Sequence, residues 1–209
     1  MDKELLLSRL VKKIEDCKRC NLWKGATQAV PGEGDSDAKV VFVGEGPGFH
    51  EDRLGQPFVG QAGKLLDKLL SSIEISRSQV FIGNLVKHRP PENRDPAPSE
   101  IAACKVWLDQ QLEIINPKIV VTLGRHSLAK FLPTSKISQV HGKALRVNRQ
   151  VVIPMYHPAA ALRSRDVLVN LEEDFRKNAE ILRDPDKISE VEELKDSNKD
   201  PNQMGFFNK

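Results

Sequence analysis

Four short runs rich in valine and isoleucine constrain the fold of this chain more than any other feature. They cover residues 39–44, 79–84, 118–124 and 150–157, and each is apolar at successive positions. A strand with one face in water alternates apolar and polar residues, whereas a strand covered on both faces does not. The runs therefore predict four buried strands of a parallel sheet.

Helical patterns lie between these runs. They span residues 63–73, 99–115 and 125–132, and Ser99 is the expected N-cap of the second. Strands that alternate with helices are typical of domains in which helices cover both faces of a parallel sheet. The predicted fold class is therefore α/β, a three-layer α/β/α arrangement with a four-stranded parallel sheet.

Composition divides the chain into two parts. Of the 209 residues, 39% are hydrophobic, which suits one domain, and we assign it to residues 1–183. Residues 184–209 hold seven acids and four lysines with few apolar residues, so they predict a flexible charged tail. The net charge of +3 leaves a surplus of about six positive charges on residues 1–183, which weakly favours a polyanionic partner.

No apolar run reaches the roughly 18 to 20 residues that a membrane helix needs, and charges interrupt the N-terminal segment too often for a signal peptide. We therefore expect a cytoplasmic monomer with no membrane partner. In a reducing compartment the three cysteines do not suggest disulfides. Cys17 and Cys20 follow an amphipathic pattern of Leu6, Leu10 and Ile14, and their C-x-x-C spacing indicates a metal or redox site.

Chemistry in a parallel sheet gathers beyond the carboxyl ends of the strands. In this chain that edge would carry Glu45, Asn84, Gly124 and His157. The shared edge follows from the pattern if the four runs pair in parallel.

A glycine-rich loop, "VGEGPGFHED" at residues 43–52, follows the first strand. Gly44, Gly46 and Gly48 let the backbone approach a ligand closely and present amide donors. The alternative is an ordinary strand-to-helix turn with capping acids. Phe58 follows among further glycines, where an aromatic ring either stacks on a flat ligand or fills a core.

The last strand ends in "YHPAAALR", residues 156–163. Proline after His157 fixes an extended or turn conformation, and the small residues that follow form a compact apolar wedge beside Arg163. Taken alone, this segment could equally be a surface loop with a hydrogen-bonded histidine.

Three segments, "GEGPGFHEDRLGQPFVGQAGKLL", "NLVKHRPPENRDPAPSEIAAC" and "YHPAAALR", occur in an order and spacing that resemble the family 4 uracil-DNA glycosylases, the iron-sulfur branch of their superfamily. The resemblance extends from about Cys17 to Arg163. It implies the three-layer α/β/α fold and a DNA repair enzyme that flips uracil out of uracil-containing DNA, single- or double-stranded. Such an enzyme hydrolyses the N-glycosidic bond and leaves an abasic site.

The resemblance also implies roles for individual residues. Glu45 would position water or stabilise the cationic sugar, and His157 would donate a hydrogen bond to the uracil oxygen that gains charge. Phe58 would stack on the uracil ring, Asn84 would recognise its polar edge, and Glu51 would wall the pocket near uracil C5. The implied substrate-binding residues are Gly44, Gly46, Glu51, Phe58 and Asn84.

Residues 158–163 would be the loop that enters the minor groove beside the flipped base. Its implied DNA-binding residues are Pro158, Ala159, Leu162 and Arg163. The family usually has serine at the position of Ala159, which puts one DNA contact in doubt. It also commonly has arginine at the position of His141.

The family's cluster ligands are four cysteines, and His88 stands at the third of these positions. A 4Fe-4S cluster would be held by Cys17, Cys20, His88 and Cys104, since imidazole can replace thiolate on iron. A zinc site with the same ligands and a broken site are the alternatives. The related X group, which captures uracil-DNA covalently, also has histidine here but adds an insertion before the last cysteine. This chain lacks that insertion, so we expect ordinary turnover.

Near the C-terminus, "QMGFF" resembles the peptide by which bacterial repair proteins dock on the sliding clamp. The residues that would form this clamp peptide are Gln203, Met204, Phe206 and Phe207.

The first functional hypothesis is a monofunctional uracil-DNA glycosylase. The alternatives are a protein that binds uracil-DNA covalently or without turnover, and a zinc-dependent nucleic-acid-binding domain.

Overall fold

A seven-stranded mixed sheet forms the centre of the computed structural model, which describes residues 2–147, 150–188 and 192–193. The strands are β1 Glu33–Gly34, β2 Val40–Gly44, β3 Phe81–Asn84, β4 Ile119–Leu123, β5 Leu145–Val147, β6 Gln150–Met155 and β7 Glu192–Glu193. Their order across the sheet is β1-β3-β2-β4-β6-β5-β7. The central strands β3, β2, β4 and β6 are mutually parallel and coincide with the four predicted runs, so that prediction is confirmed.

The sheet is wider than the four predicted strands because short strands extend both edges. β1 pairs antiparallel with β3, β5 pairs antiparallel with β6, and β7 pairs parallel with β5. These strands have two or three residues each, too few to produce a recognisable alternation in the sequence. The fold class is unchanged, and the strand count is corrected.

Helices cover both faces of the sheet. Their bounds are α1 Lys3–Glu15, α2 Phe49–Leu54, α3 Gln61–Ser72, α4 Pro98–Ile115, α5 Arg125–Phe131, α6 Ile137–Val140, α7 Pro158–Ala161, α8 Arg165–Lys177 and α9 Ala179–Arg183. Single 3₁₀ turns lie at Asn21–Lys24, Arg77–Gln79, Pro91–Asn93 and Pro185–Lys187. The three helical patterns of the sequence correspond to α3, α4 and α5.

Alternate residues of the central strands enter two separate cores, as the two-residue period of a strand requires. On one face Phe42 packs against α3 and α8, and its ring stacks on Phe175 with a centroid distance of 6.1 Å. On the other face Val41 and Val43 pack against Leu7 of α1 and apolar residues of α4. The three-layer arrangement follows from these two cores.

Helix α4 begins earlier than the sequence suggested. Its N-cap is Ala97 and not Ser99, because Pro98 fits the first helical position, where the missing N–H costs no hydrogen bond. The side chain of Glu100 accepts a hydrogen bond of 2.7 Å from the Ala97 N–H and replaces the expected serine cap.

The first residues of the predicted tail pack on the domain. Pro185 is buried, and Asp186 forms ion pairs with Lys39 and Lys118. Beyond residue 188 the described residues are those of β7. The division into a domain of residues 1–183 and a tail of residues 184–209 stays a prediction. In the described part of the chain, no helix is both long and apolar enough to cross a membrane.

Candidate active site

The carboxyl ends of the central strands bring the predicted residues to one edge of the sheet. Gly44 pairs with Asn84 across β2 and β3, so Glu45 follows directly beside that asparagine. Gly124 follows β4, and its N–H donates to the Met155 carbonyl at the end of β6, two residues before His157. The convergence predicted from the strand pattern is therefore present.

The pocket at this edge is formed closely around Gly44. A Cβ atom at Gly44 would lie 2.4 Å from Asn84 Oδ1 and 2.6 Å from Phe58 Cζ, so only glycine leaves the space open. Gly46 also leaves no room for a side chain, since a Cβ there would lie 2.8 Å from Val86 Cγ2. Both glycines thus have a steric reason to be glycine.

Asn84 has a buried side-chain oxygen that is available to a ligand. It is 1% exposed, and its Oδ1 has no hydrogen-bond partner among the described residues. An unsatisfied buried acceptor costs about 1 to 3 kcal/mol, so such atoms are rare in folded proteins unless a ligand or water completes them. A ligand that donates a hydrogen bond to Oδ1 would recover this energy.

Phe58 is held by its backbone as well as by packing. It has a φ of 52°, which is unusual for a residue with a Cβ, and a Cβ at Gly63 would lie 1.7 Å from the Phe58 carbonyl oxygen. Arg77 donates to the carbonyl oxygens of Pro57 and Phe58 and pairs with Glu33. Sequence reasoning missed Arg77, because its partners lie on distant segments of the chain.

Glu51 anchors the loop that carries Phe58. Its Oε1 accepts hydrogen bonds from the N–H groups of Val59 at 2.9 Å and Gly60 at 2.8 Å, and its side chain is nearly buried. These contacts give Glu51 a structural task that the sequence did not indicate. The predicted position near uracil C5 stays a prediction.

We expect Glu51→Ala to lower the free energy of unfolding by about 2 to 3 kcal/mol, because two amides would lose a charged acceptor. The midpoint of urea unfolding measures this loss. Glu51→Gln is the matched control, since its amide oxygen can still accept both hydrogen bonds. Equal losses in the two variants would contradict the anchoring role.

His157 is oriented by the backbone that follows it. Its Nδ1 accepts a hydrogen bond of 3.1 Å from the Ala159 N–H, and its ring lies 5.7 Å from the Phe58 ring in a stacked arrangement. Burial lowers the pKa of His157 to about 4, although the charge of Glu51 opposes the shift. The imidazole is therefore neutral near pH 7, and because Nδ1 is an acceptor, Nε2 carries the proton and can donate it in a hydrogen bond.

Glu45 faces a histidine that sequence reasoning missed. Its Oε2 lies 3.7 Å from His126 Nε2, which lies 3.3 Å from Asp95 Oδ2. Burial raises the pKa of Glu45, and the neighbouring His126 lowers it. The donor atoms of these three residues lie within 4.8 Å of one another, a spacing that a metal ion could bridge, but Arg125 already pairs with Asp95. His126 Nε2 also accepts a hydrogen bond of 3.1 Å from Arg125 Nε, so His126 acts on the Glu45 carboxylate through charge and not through a hydrogen bond.

We expect His126→Ala to raise the pKa of Glu45, because the partner that opposes the effect of burial is removed. If ionised Glu45 is required, the acidic limb of the pH–rate profile moves to higher pH, and the rate on the alkaline side changes little. Steady-state rates from pH 4 to 9 measure the shift. An unchanged acidic limb would exclude the coupling.

Residues 158–163 form one helical turn and its exposed end rather than an open loop. Pro158 is buried at the first helical position of α7, where it stabilises the turn that supplies the Ala159 N–H to His157. Leu162 is 52% exposed and Arg163 is also exposed. Of the predicted DNA-binding residues, these two are exposed, Ala159 is partly exposed and Pro158 is buried.

The three cysteines converge between α1, the segment after β3, and α4. Each sulfur accepts a hydrogen bond from an N–H group: Cys17 from the Trp107 indole at 3.0 Å, Cys104 from the Lys87 backbone at 3.3 Å, and Cys20 from the Leu22 backbone. Such donors are typical of thiolates that bind a metal centre, whose electron density they stabilise.

Burial raises the pKa of Cys104 to about 11 and also raises that of Cys20. Thiolates in this setting need a positively charged group among them. Burial lowers the pKa of His88, which favours the neutral imidazole that binds metals, and Asp52 opposes this shift. His88 is 5% exposed and directly follows Lys87, whose N–H contacts the Cys104 sulfur. The three thiols and a neutral imidazole are the kinds of donor that suit a metal centre.

Lys87 connects the cysteine site with the pocket, a link that sequence reasoning missed. Its side chain is fully buried, and its Nζ donates to the Asn84 carbonyl at 2.9 Å and to Gln111 Oε1 at 2.7 Å. Gln111 in turn donates to the Pro31 carbonyl. Burial lowers the pKa of Lys87 to about 8, and the charge of Cys104 opposes this shift.

Two further sequence features are His141 and the predicted clamp peptide. His141 lies against Tyr156, and its Nδ1 is 2.9 Å from Asp174 Oδ2. This hydrogen-bonded contact gives His141 a partner within the protein. The predicted clamp peptide, Gln203 to Phe207, lies outside the described residues, and that partner stays a prediction.

Comparisons with known proteins agree with this geometry. Residues 31–183 match the family model of the uracil DNA glycosylase superfamily. The type-4 uracil-DNA glycosylase of Sulfurisphaera tokodaii is 47% identical over 193 residues, which cover 88% of this chain and 88% of the relative.

The type-4 enzyme of Saccharolobus solfataricus is 47% identical and covers 84% of this chain and 86% of the relative. That of Archaeoglobus fulgidus is 45% identical, with 84% of this chain and 92% of the relative covered. The residues that converge at the sheet edge lie within the span of the family model. The chain belongs to the uracil-DNA glycosylase superfamily and, within it, to the type-4 uracil-DNA glycosylases.

Proposed function

We propose that this protein removes uracil from DNA by hydrolysis of the N-glycosidic bond and leaves an abasic site. The observation that carries the proposal is the buried Asn84 Oδ1, which has no hydrogen-bond partner among the described residues, at the same sheet edge as a neutral His157 whose Nε2 can donate. Uracil offers a ring N–H next to a carbonyl oxygen, and these are the complementary groups. The type-4 relatives, each named as a uracil-DNA glycosylase, support the same activity.

The residues divide the reaction between recognition and bond cleavage. Phe58 stacks on the flipped base. Asn84 Oδ1 accepts a hydrogen bond from the ring N–H of uracil, and it excludes a base that has only an acceptor at that ring position. His157 donates from Nε2 to the uracil oxygen as the leaving base gains negative charge. Glu45, at the same edge, stabilises the cationic sugar or orients the attacking water through its carboxyl group.

Thymine would be excluded by the walls of the pocket around Gly44 and the Glu51 loop. The alternative of covalent capture gains no support from the relatives, which are named as glycosylases. We keep the predictions that the protein is cytoplasmic and monomeric.

Release of the free base tests the proposed activity. Three single-stranded oligonucleotides with uracil, cytosine or thymine at one position are incubated with the protein, and the free bases are separated by chromatography. We expect release of uracil alone. Release of none of the three bases by folded protein would refute the proposal, and release of cytosine would refute the role of Asn84.

We propose further that Cys17, Cys20, His88 and Cys104 hold a 4Fe-4S cluster. Among the described residues, no three of these donor atoms lie within 4.8 Å of one another. The ligands of tetrahedral zinc lie about 3.8 Å apart, given a Zn–S distance of about 2.3 Å. The wider spread favours a larger group. When bound, the cluster would tie α1 and α4 to the segment after β3, and hydrolysis requires no electron from it.

Metal analysis and redox titration of the anaerobically purified protein test this cofactor. We expect iron and acid-labile sulfide in equal amounts, and zinc alone would contradict the cluster. His88→Cys is expected to keep the iron and to lower its reduction potential, because a thiolate adds negative charge where imidazole adds none. An unchanged potential would show that His88 is not a ligand.

A further inference from the structure

The exposed ring of Phe49 follows the glycine loop of the pocket and has no role in the proposed reaction. Phe49 begins α2 directly after Gly48 of the glycine loop and is 48% exposed. Burial of a phenylalanine side chain stabilises a fold, so the exposure of Phe49 forgoes part of that stabilisation. The exposure of the Phe49 ring therefore suggests a role in binding.

The guanidinium groups of two arginines lie over the Phe49 ring. The guanidinium carbon of Arg89 lies 5.2 Å from the Phe49 ring centroid, and that of Arg53 lies 5.9 Å away. The ring of His50 meets Phe49 edge-on at 5.5 Å. These distances fall within the range of cation–π contacts and keep both cations beside the aromatic face. We call Phe49, His50, Arg53 and Arg89 the basic–aromatic cluster.

Neither arginine of the cluster is neutralised. Among the described residues, no carboxylate lies within 4.0 Å of the guanidinium of Arg53 or Arg89, whereas Arg77, Arg94 and Arg125 on nearby segments all form ion pairs. Arg89 is nevertheless fixed, since its Nε donates to Asn93 Oδ1 at 2.7 Å. A fixed cation that has no counter-ion in the described part of the chain is suited to an anionic partner.

The basic–aromatic cluster is connected to the pocket through the glycine loop and the segment after β3. The N–H of Val86 donates to the Glu45 carbonyl, and a Cβ at Gly46 would lie 3.6 Å from Pro90 Cδ, next to Arg89. The position of Arg89 is thus set by the segment that also supplies Asn84 and contacts the Cys104 sulfur through Lys87. A DNA strand with its uracil in the pocket would pass this surface.

We propose that the basic–aromatic cluster binds the nucleotide next to the flipped deoxyuridine, with a base stacked on Phe49 and phosphates contacted by Arg53 and Arg89. This rests on the proposed function, since it assumes that the pocket holds a uracil within a DNA strand. Stacking on an aromatic ring tolerates any base, and arginines bind phosphate in any sequence. The cluster would therefore strengthen binding to the strand without adding sequence preference.

Steady-state and single-turnover kinetics on a single-stranded oligonucleotide with one uracil test the stacking contact. We expect Phe49→Ala to raise KM about tenfold, within the range that loss of one stacked base produces. The single-turnover rate at saturating DNA should stay within about twofold of the wild type, and Phe49→Trp should restore KM. Val169→Ala is the control, because Val169 on α8 is also 51% exposed and lies away from the pocket.

The salt dependence of binding tests the phosphate contacts. For a uracil-free single strand, we expect Arg89→Gln to reduce the slope of log K against log salt concentration by about 0.7, the value for one lost phosphate contact. Arg176→Gln on α8, where Arg176 is exposed beside Glu173, should leave the slope unchanged.

An unchanged KM in Phe49→Ala, or equal losses in KM and in the saturated rate that Phe49→Trp does not restore, would overturn the proposal. An unchanged salt slope in Arg89→Gln would overturn the phosphate contact. The uracil-free strand separates this inference from the proposed function. If the wild type releases no uracil but Phe49→Ala still weakens binding to that strand, the proposed function fails and the binding surface stands.

Discussion

His157→Ala is expected to lower the single-turnover rate of uracil release by about 10²- to 10³-fold, the usual cost of removing one preorganised donor to a developing oxyanion. The reason is local. The Ala159 N–H occupies Nδ1 and so fixes the proton on Nε2, ready to donate without reorganisation. Because the loss arises in the transition state, KM should change far less than the rate.

Binding to a uracil-free oligonucleotide is the control for His157→Ala, and it should match the wild type within about twofold, since the proposed contact of His157 with DNA is to the flipped base alone. A variant that keeps more than about one tenth of the wild-type rate would contradict the donor role.

The lowered pKa of His157 also affects stability. Its pKa is about 4 in the folded protein and about 6.5 in an unfolded chain, so between these values the unfolded state binds more protons. The contribution of the neutral imidazole is complete above pH 6.5 and is lost as the pH falls towards 4. His157→Ala should therefore show a weaker loss of unfolding free energy than the wild type over this window.

The second large effect is expected at Asn84, where function and stability should separate. Asn84→Leu replaces the amide by methyl groups of similar shape and removes a buried acceptor that has no partner within the described part of the chain. We expect uracil release to fall by at least about 10²-fold, since the edge of the base is no longer recognised. The melting temperature should stay constant or rise, because functional sites often carry groups that destabilise the fold.

Gly44→Ala is a useful comparison for Asn84→Leu. It leaves the amide in place but directs a Cβ to within 2.4 Å of Asn84 Oδ1, so both activity and stability should fall. A melting temperature of Asn84→Leu several degrees below that of the wild type would contradict this separation, since it would show that the amide supports the fold.

The sequence was sufficient for the central strands and for the convergence of their edge residues. Buried parallel strands carry continuous apolar runs, and their carboxyl ends meet at one edge whatever the strand order. The strand pattern alone therefore places Glu45, Asn84 and His157 together. It does not reveal the short edge strands β1 and β5, because pairing and not local pattern defines them.

The supporting contacts were beyond sequence reasoning for a different reason. Arg77 binds carbonyls 19 and 20 residues away, Lys87 binds Gln111 in α4, and His126 meets Glu45 across the sheet edge. Each partner is remote in sequence, so no local spacing reveals it. One signal was present for Lys87, because a lysine directly after the mainly apolar segment "FIGNLV" suggests a buried cation that must have partners.

The most direct test of uracil excision is one denaturing gel. An oligonucleotide with a single uracil is incubated with the protein, and half of the sample is heated with alkali before loading. We predict a shortened strand only after alkali, since base removal leaves an intact backbone with an abasic site that alkali breaks. A slowly migrating band that survives denaturation would show covalent capture, and an unaltered strand in both halves would show no excision; either result would contradict the proposed activity.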